Sequence, residues 1–221
     1  MKIKFAILVL FINLSAFAQL PKGFVYVDDV ISDIQIELRY CLNNNFIGEP
    51  VDGYNGEVCI LSLQAANALK NVQDELRKQN LSLKIFDAYR PQRAVNHFMK
   101  WARNVNDTLM KNQFYPAVDK RNLFKEGYIA SRSRHSSGST LDLTIVDLKT
   151  GEELDMGTPY DYFGKESWLL HDDLTPAQKE NRMQLHNIMK KHGFRHYPQE
   201  WWHFTLRGEP FKNQYFDFPV E

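Results

Sequence analysis

The hydrophobic pattern along the chain changes period several times, and each change marks an element. Leu63, Ala66, Leu69, Val72 and Leu76 recur at helical spacing behind Ser62, which can cap a helix ending near Asn80. Leu81, Leu83 and Ile85 then alternate with Ser82, Lys84 and Phe86, a strand that runs into Asp87-Ala88-Tyr89-Arg90-Pro91. Pro91 suits the first turn of a second helix with Ala94, Val95, Phe98, Trp101 and Ala102 inward. Tyr128 to Ala130 reads as a short strand, and Leu141 to Val146 as a buried one ending at the Thr150-Gly151 turn. Thr175-Pro176 opens a third helix that Gly193 terminates, and Phe194–Tyr197 and Trp202–Leu206 follow as paired strands. Helices and strands alternate irregularly, which predicts an α+β fold rather than a doubly wound sheet.

The N-terminus is a separate unit. Lys2 and Lys4 precede an apolar run from Phe5 to Ile12, and Ala16-Phe17-Ala18 forms a small-residue cleavage pattern. The run is shorter than the about 20 apolar residues that span a bilayer. Residues 1–18 therefore read as a signal peptide, and residues 19–221 as one exported, periplasmic or secreted domain with no cysteine near the cut for a lipid anchor. Lys plus Arg equals Asp plus Glu at 27 each, so no long-range field favours nucleic acid or an anionic membrane. In an oxidising compartment Cys41 and Cys59 can either bridge the Gly- and Asn-rich loop between them or serve as two unrelated small apolar residues. Their spacing matches no cysteine zinc motif.

Candidate chemistry lies in two stretches, Ser133-Arg134-His135-Ser136-Ser137-Gly138-Ser139-Thr140-Leu141-Asp142 and Glu200-Trp201-Trp202-His203. A catalytic zinc needs three protein ligands, an open position for water and a base nearby. His135, Asp142 and His203 can supply the ligands, with Gly138 making the bend that lets the first two reach one ion. Asp142 opens an apolar strand, where a carboxylate is costly unless paired or bound to a cation. Glu200 is the candidate base. Residues three apart on a regular strand face opposite ways, so Glu200 and His203 can share a site only through the loop after Pro198 or a bulge. Arg90 is a candidate for an oxyanion or a substrate carboxylate, or a structural partner of Asp87.

These motifs, with Asn45-Phe46, Gly48, Pro50-Val51-Asp52-Gly53-Tyr54, Tyr89-Arg90-Pro91, Arg93-Ala94-Val95-Asn96, Gly127-Tyr128, Asp142-Leu143-Thr144, Met156-Gly157 and Tyr215-Phe216-Asp217-Phe218-Pro219, closely resemble the zinc D-alanyl-D-alanine dipeptidase family, in the D-Ala-D-Ala metallopeptidase group. The resemblance runs from about Tyr40 to Pro219. It implies a single domain with a small central antiparallel sheet packed with helices and a zinc site on the sheet. It also implies one Zn2+ per chain on His135, Asp142 and His203, with Glu200 and Arg90 catalytic. Tyr40, Ser133 and Asp161 would hold the free amino group of a small dipeptide. Ser137 stands where the resistance enzyme of the family has arginine, and Thr140 where alanine is usual; neither removes a ligand. An exported relative points to turnover or salvage of dipeptide from the cell wall rather than to antibiotic resistance. The rival readings are a D,D- or L,D-carboxypeptidase acting on longer peptidoglycan peptides, and a non-catalytic zinc-stabilised peptide-binding module. His97, His171, His186, His192 and His196 carry no motif.

Overall fold

A computed structural model describes residues 20–221, so the signal-peptide expectation for residues 1–18 lies outside the described residues. The elements in chain order are β1 (Phe24–Tyr26), α1 (Val27–Val30), β2 (Gln35–Ile36), β3 (Ile60–Ser62) and α2 (Leu63–Arg77). Next come β4 (Leu81–Asp87), α3 (Gln92–Arg103), α4 (Lys111–Phe114), β5 (Thr140–Asp147), α5 (Pro176–Lys191), β6 (Phe194–Tyr197) and β7 (Glu200–Leu206). A five-stranded sheet runs β2-β4-β5-β7-β6, and β1 pairs with β3 in a two-stranded sheet. Strands β4 to β7 pair antiparallel, as the α+β expectation requires, while the two-residue edge strand β2 joins β4 in parallel.

Helix α2 begins as its sequence directs, with the Ser62 hydroxyl accepting from the Ala65 amide. Ala66, Leu69, Val72 and Leu76 are buried, but Leu63 is exposed. At 3.6 residues per turn Leu63 falls at the margin of that stripe, and Ala65 takes the inward place. Pro91 stands just before α3 in an extended conformation rather than inside its first turn. Helix α5 starts with a full capping box, Thr175 and Gln178 satisfying each other's backbone, and with proline at its first position. Tyr128 to Ala130 is not a strand. An extended segment needs a neighbour to pair with, and here the Ile129 amide bonds back to the Leu123 carbonyl in a local turn.

The core of the sheet is the buried run of β5. Its fully buried Leu141, Leu143 and Ile145 fill one side against β4 and the helices. Ser82 and Gln73 carry polar groups into this interior, and they satisfy each other at 2.8 Å. Ahead of β5 a short 3-10 turn, Arg134–Ser137, ends at Gly138 with φ of 77°. A Cβ at Gly138 would run into the ring of Phe24, which packs among Tyr89, Phe211, Phe216 and Phe218. Only glycine combines that backbone with that clearance.

Both cysteines are free thiols here, Cys59 buried and Cys41 half-buried. Cys59 is fully buried, and the Cys41 thiol donates to the Gly56 carbonyl. Burial pushes the Cys41 thiol up to about 12 and raises Cys59 well above its ordinary value, so both rest as neutral thiols.

Gly138→Ala should cost about 2 kcal/mol or more of folding stability, from left-handed strain and overpacking together. Urea denaturation of the metal-free protein measures this, and an unchanged midpoint would contradict the packing described.

Candidate active site

Three antiparallel strands place the central groups in one row. Asp142 on β5 is flanked by Asp87 on β4 and by His203 on β7, each its direct cross-strand partner. His135 comes from outside the sheet, on the 3-10 turn before Gly138. The His203 Nδ1 lies 3.0 Å from Asp142 Oδ1, and the His135 Nε2 lies 3.4 Å from Asp142 Oδ2 and 3.3 Å from His203 Nδ1. Ligand atoms of the three residues thus fall within 4.8 Å of one another.

The donor chemistry fits a divalent cation. His135 Nδ1 sits 2.7 Å from the Ala88 carbonyl, which can only accept, so this nitrogen carries the proton and Nε2 presents a lone pair. That lone pair faces His203 Nδ1 and a carboxylate. Asp142 Oδ1 is buried and accepts no hydrogen bond from the protein. A buried carboxylate with one oxygen unsatisfied, Oδ1 facing His203 and Oδ2 facing His135, is costly alone and suited to a shared cation. Two nitrogens and one oxygen are also the ligand types that zinc takes.

Arg90 forms the structural pair with Asp87 that was weighed for it, and it lines the same cavity as the cluster. Its Nε and Nη2 hold Asp87 Oδ2 at 2.9 and 2.7 Å, while Nη2 also approaches Asp142 Oδ2 at 3.6 Å. The guanidinium lies 5.1 Å from the ring centroids of Tyr40 and of Phe98, which fixes its plane. Asp87 is fully buried and accepts in addition from the Tyr54 hydroxyl at 2.6 Å. Glu200 opens β7, and its Oε2 is 3.4 Å from His203 Nδ1. The register of β6 against β7 shifts between His196 and Tyr197, opposite Glu200. This irregularity in the strand pairing is the feature that lets residues three apart meet on one side.

At the other wall, Tyr40 donates to Asp161 Oδ2 at 2.8 Å. Asp161 is buried and has φ of 61°, a left-handed conformation that aspartate tolerates better than most residues. Its loop is pinned by Arg182 of α5, whose buried guanidinium donates to the carbonyls of Met156, Glu166 and Trp168. Ser133 caps the His135 turn with its hydroxyl. A cavity of about 230 Å³ is lined by all eight residues singled out in the sequence: Tyr40, Arg90, Ser133, His135, Asp142, Asp161, Glu200 and His203.

Burial would raise the Asp142 carboxyl, but His135 and His203 outweigh it and hold it well below the usual carboxylate range. Burial raises Glu200, with His203 opposing. Asp161 is pushed well above its ordinary value by burial and then by the charge of Asp142. Tyr160 escaped the sequence reading. Its hydroxyl lies 3.2 Å from both Asp142 Oδ2 and the Tyr40 hydroxyl, linking the two ends of the site. Its adjacency to Asp161 was the sole hint, and it becomes meaningful only once the loop is folded.

A carboxylate and an arginine beside a His-Asp-His cluster, all in one cavity, are the equipment of a metallopeptidase. The chain belongs to the family described as Peptidase_M15, D-ala-D-ala dipeptidase, whose model matches residues 21–221. It is 38% identical over 199 residues to a D-alanyl-D-alanine dipeptidase of Enterococcus faecium, covering 90% of this chain and 98% of that one. A D-alanyl-D-alanine dipeptidase of Enterococcus faecalis is 37% identical, over 91% of this chain and all of its own length. A third, from Streptomyces coelicolor, is 39% identical over 89% of this chain and 98% of its own.

Because the Asp161 carboxyl is raised by burial, its stabilising, protonated contribution is complete below the unfolded value near about pH 4 and is lost as pH rises through the folded value. Asp161→Asn keeps the shape, tolerates the left-handed backbone and removes the charge. It should stabilise the metal-free protein by about 1 kcal/mol at neutral pH, with a smaller gain at about pH 4.5. Urea midpoints at the two pH values test this; a variant less stable at both would contradict it.

Proposed function

We propose that this protein is a zinc-dependent dipeptidase that hydrolyses D-alanyl-D-alanine to two D-alanines, with one zinc per chain held by His135, Asp142 and His203. The observation that carries the reading is a single small cavity joining the donor cluster and Glu200 to the buried Asp161–Tyr40 pair. When bound, zinc supplies a Lewis acid for the scissile carbonyl and makes a bound water acidic near neutral pH.

The chain's own residues do the rest. Glu200 takes the proton of the attacking water on its carboxylate and passes it to the leaving amino group. Its raised affinity for protons favours that transfer over the behaviour of an exposed glutamate. Arg90, held in place by Asp87, directs its guanidinium at the oxyanion that develops on the attacked carbonyl. Asp161, with Tyr40 and Ser133, receives the substrate's ammonium, whose charge also favours the ionised form of the buried carboxyl. Recognition of a free amino group this close to the metal ligands selects a substrate of two residues. The basic, apolar and small-residue pattern of residues 1–18 supports export, and hence a role in turnover or salvage of wall-derived dipeptide.

The test is a length and stereochemistry series on zinc-loaded protein: D-Ala-D-Ala, L-Ala-L-Ala and a wall pentapeptide ending in D-Ala-D-Ala. Release of alanine from the D,D-dipeptide alone, abolished by chelator, is expected. Preferential loss of the terminal residue from the pentapeptide would identify a carboxypeptidase, and no turnover at full zinc occupancy a binding module. Glu200→Ala should retain zinc while kcat falls by about 10²–10⁴. Asp161→Ala should raise KM for dipeptide far more than it weakens zinc; loss of metal instead would overturn its role.

A further inference from the structure

Glu209 lies just beyond β7 and is buried, with 7% of its surface exposed. Its Oε1 accepts from Arg134 Nη1 at 2.8 Å and from Arg195 Nη2 at 3.4 Å, and its Oε2 lies 2.7 Å from Ser137 Oγ, whose one hydrogen it shares with the Arg134 carbonyl at 2.8 Å. Arg134 and Ser137 are the first and last residues of the 3-10 turn that carries His135, and Arg195 belongs to β6. One buried carboxylate therefore joins the His135 turn to the segment that leaves β7, the strand of His203 and Glu200.

The geometry of the donor cluster makes that junction consequential. Asp142 and His203 are held together by direct pairing of β5 with β7, which fixes their spacing through backbone hydrogen bonds. His135 has no such tie, because its turn lies outside the sheet. It is anchored by Nδ1 at the Ala88 carbonyl, by the Arg90 amide donating to the His135 carbonyl at 3.4 Å, by the Phe216 amide donating to the Ser136 carbonyl, and by Glu209. The Phe216 amide and Glu209 both reach the turn from the chain beyond His203, and of the two Glu209 does so through a side chain, from a position three residues past the end of β7. It does not line the cavity and touches none of the donor atoms.

We propose that Glu209 is a positioning residue for the metal centre: acting through Arg134 and Ser137, it sets the separation between His135 and His203 that lets both reach one ion. The proposal rests on the zinc reading given above. Outer hydrogen-bond partners of metal ligands matter because an ion's affinity depends on how little its donors must move when it binds.

The experiment is a zinc titration in competition with a chromophoric chelator, on the full chain, for wild type, Glu209→Ala, Glu209→Gln and Ser137→Ala. The melting temperature of each metal-free protein is measured alongside. Zinc affinity should fall by about 10–100-fold in Glu209→Ala. Glu209→Gln keeps the length and an acceptor for Ser137 and should fall in between. Ser137→Ala leaves both arginine pairs intact and should lose about fivefold, the equivalent of one hydrogen bond. A purely structural clamp would lower the melting temperatures yet leave zinc affinity within about twofold in all three variants, and that result overturns the proposal. Wild type that binds zinc tightly beside indistinguishable variants sinks this inference alone. Wild type that binds no zinc sinks the dipeptidase reading with it.

Discussion

A carboxylate buried in the middle of a sheet sets the terms for the rest of this molecule. Asp142 is 2% exposed, sits beside the fully buried Asp87, and has one oxygen with no hydrogen bond from the protein. Two aspartates on neighbouring strands repel, and burial adds to the cost of each. Arg90 bridges them, ion-paired to Asp87 and close to Asp142. The imidazoles of His135 and His203 complete the ring around Asp142, and a divalent cation would balance the acids that Arg90 alone does not. The site is thus an electrostatic problem that a bound divalent cation would solve.

Every segment near the site is placed to make that arrangement rigid. Strand pairing fixes Asp142 against His203, and the shifted register at the start of β7 turns Glu200 to the same side. Gly138 lets the chain double back from His135 to β5 beneath the Phe24 aromatic cluster. On the far wall, Arg182 satisfies three loop carbonyls from the interior and so holds Tyr160 and Asp161 in place. Tyr160 connects that wall to Asp142 through its hydroxyl, making one polar network of both ends.

Much of this was legible in the residues themselves. Strands β4, β5 and β6 and helices α2, α3 and α5 follow from apolar periodicity and caps such as Ser62 and Thr175, because those signals are local. The buried aspartate in an apolar strand was legible for the same reason. The supposed strand at Tyr128 failed because strand formation depends on a partner elsewhere in the chain, and here none pairs with it. Leu63 failed because a helix stripe has margins that a list of apolar positions does not show. Tyr160, Arg182 and Glu209 carried no local pattern at all. Their roles depend on contacts with residues far along the chain, which only the folded topology brings together.

The most direct test of the account is the X-ray absorption spectrum of the zinc-loaded protein. The proposed centre would give two imidazole nitrogens and one carboxylate oxygen, with a further light donor from solvent or substrate, all at about 2.0–2.2 Å. That spectrum, lost on chelation and altered in Asp142→Ala, would establish the centre on His135, Asp142 and His203. Sulfur scattering at about 2.3 Å would instead place the metal on Cys41 or Cys59 and contradict the account.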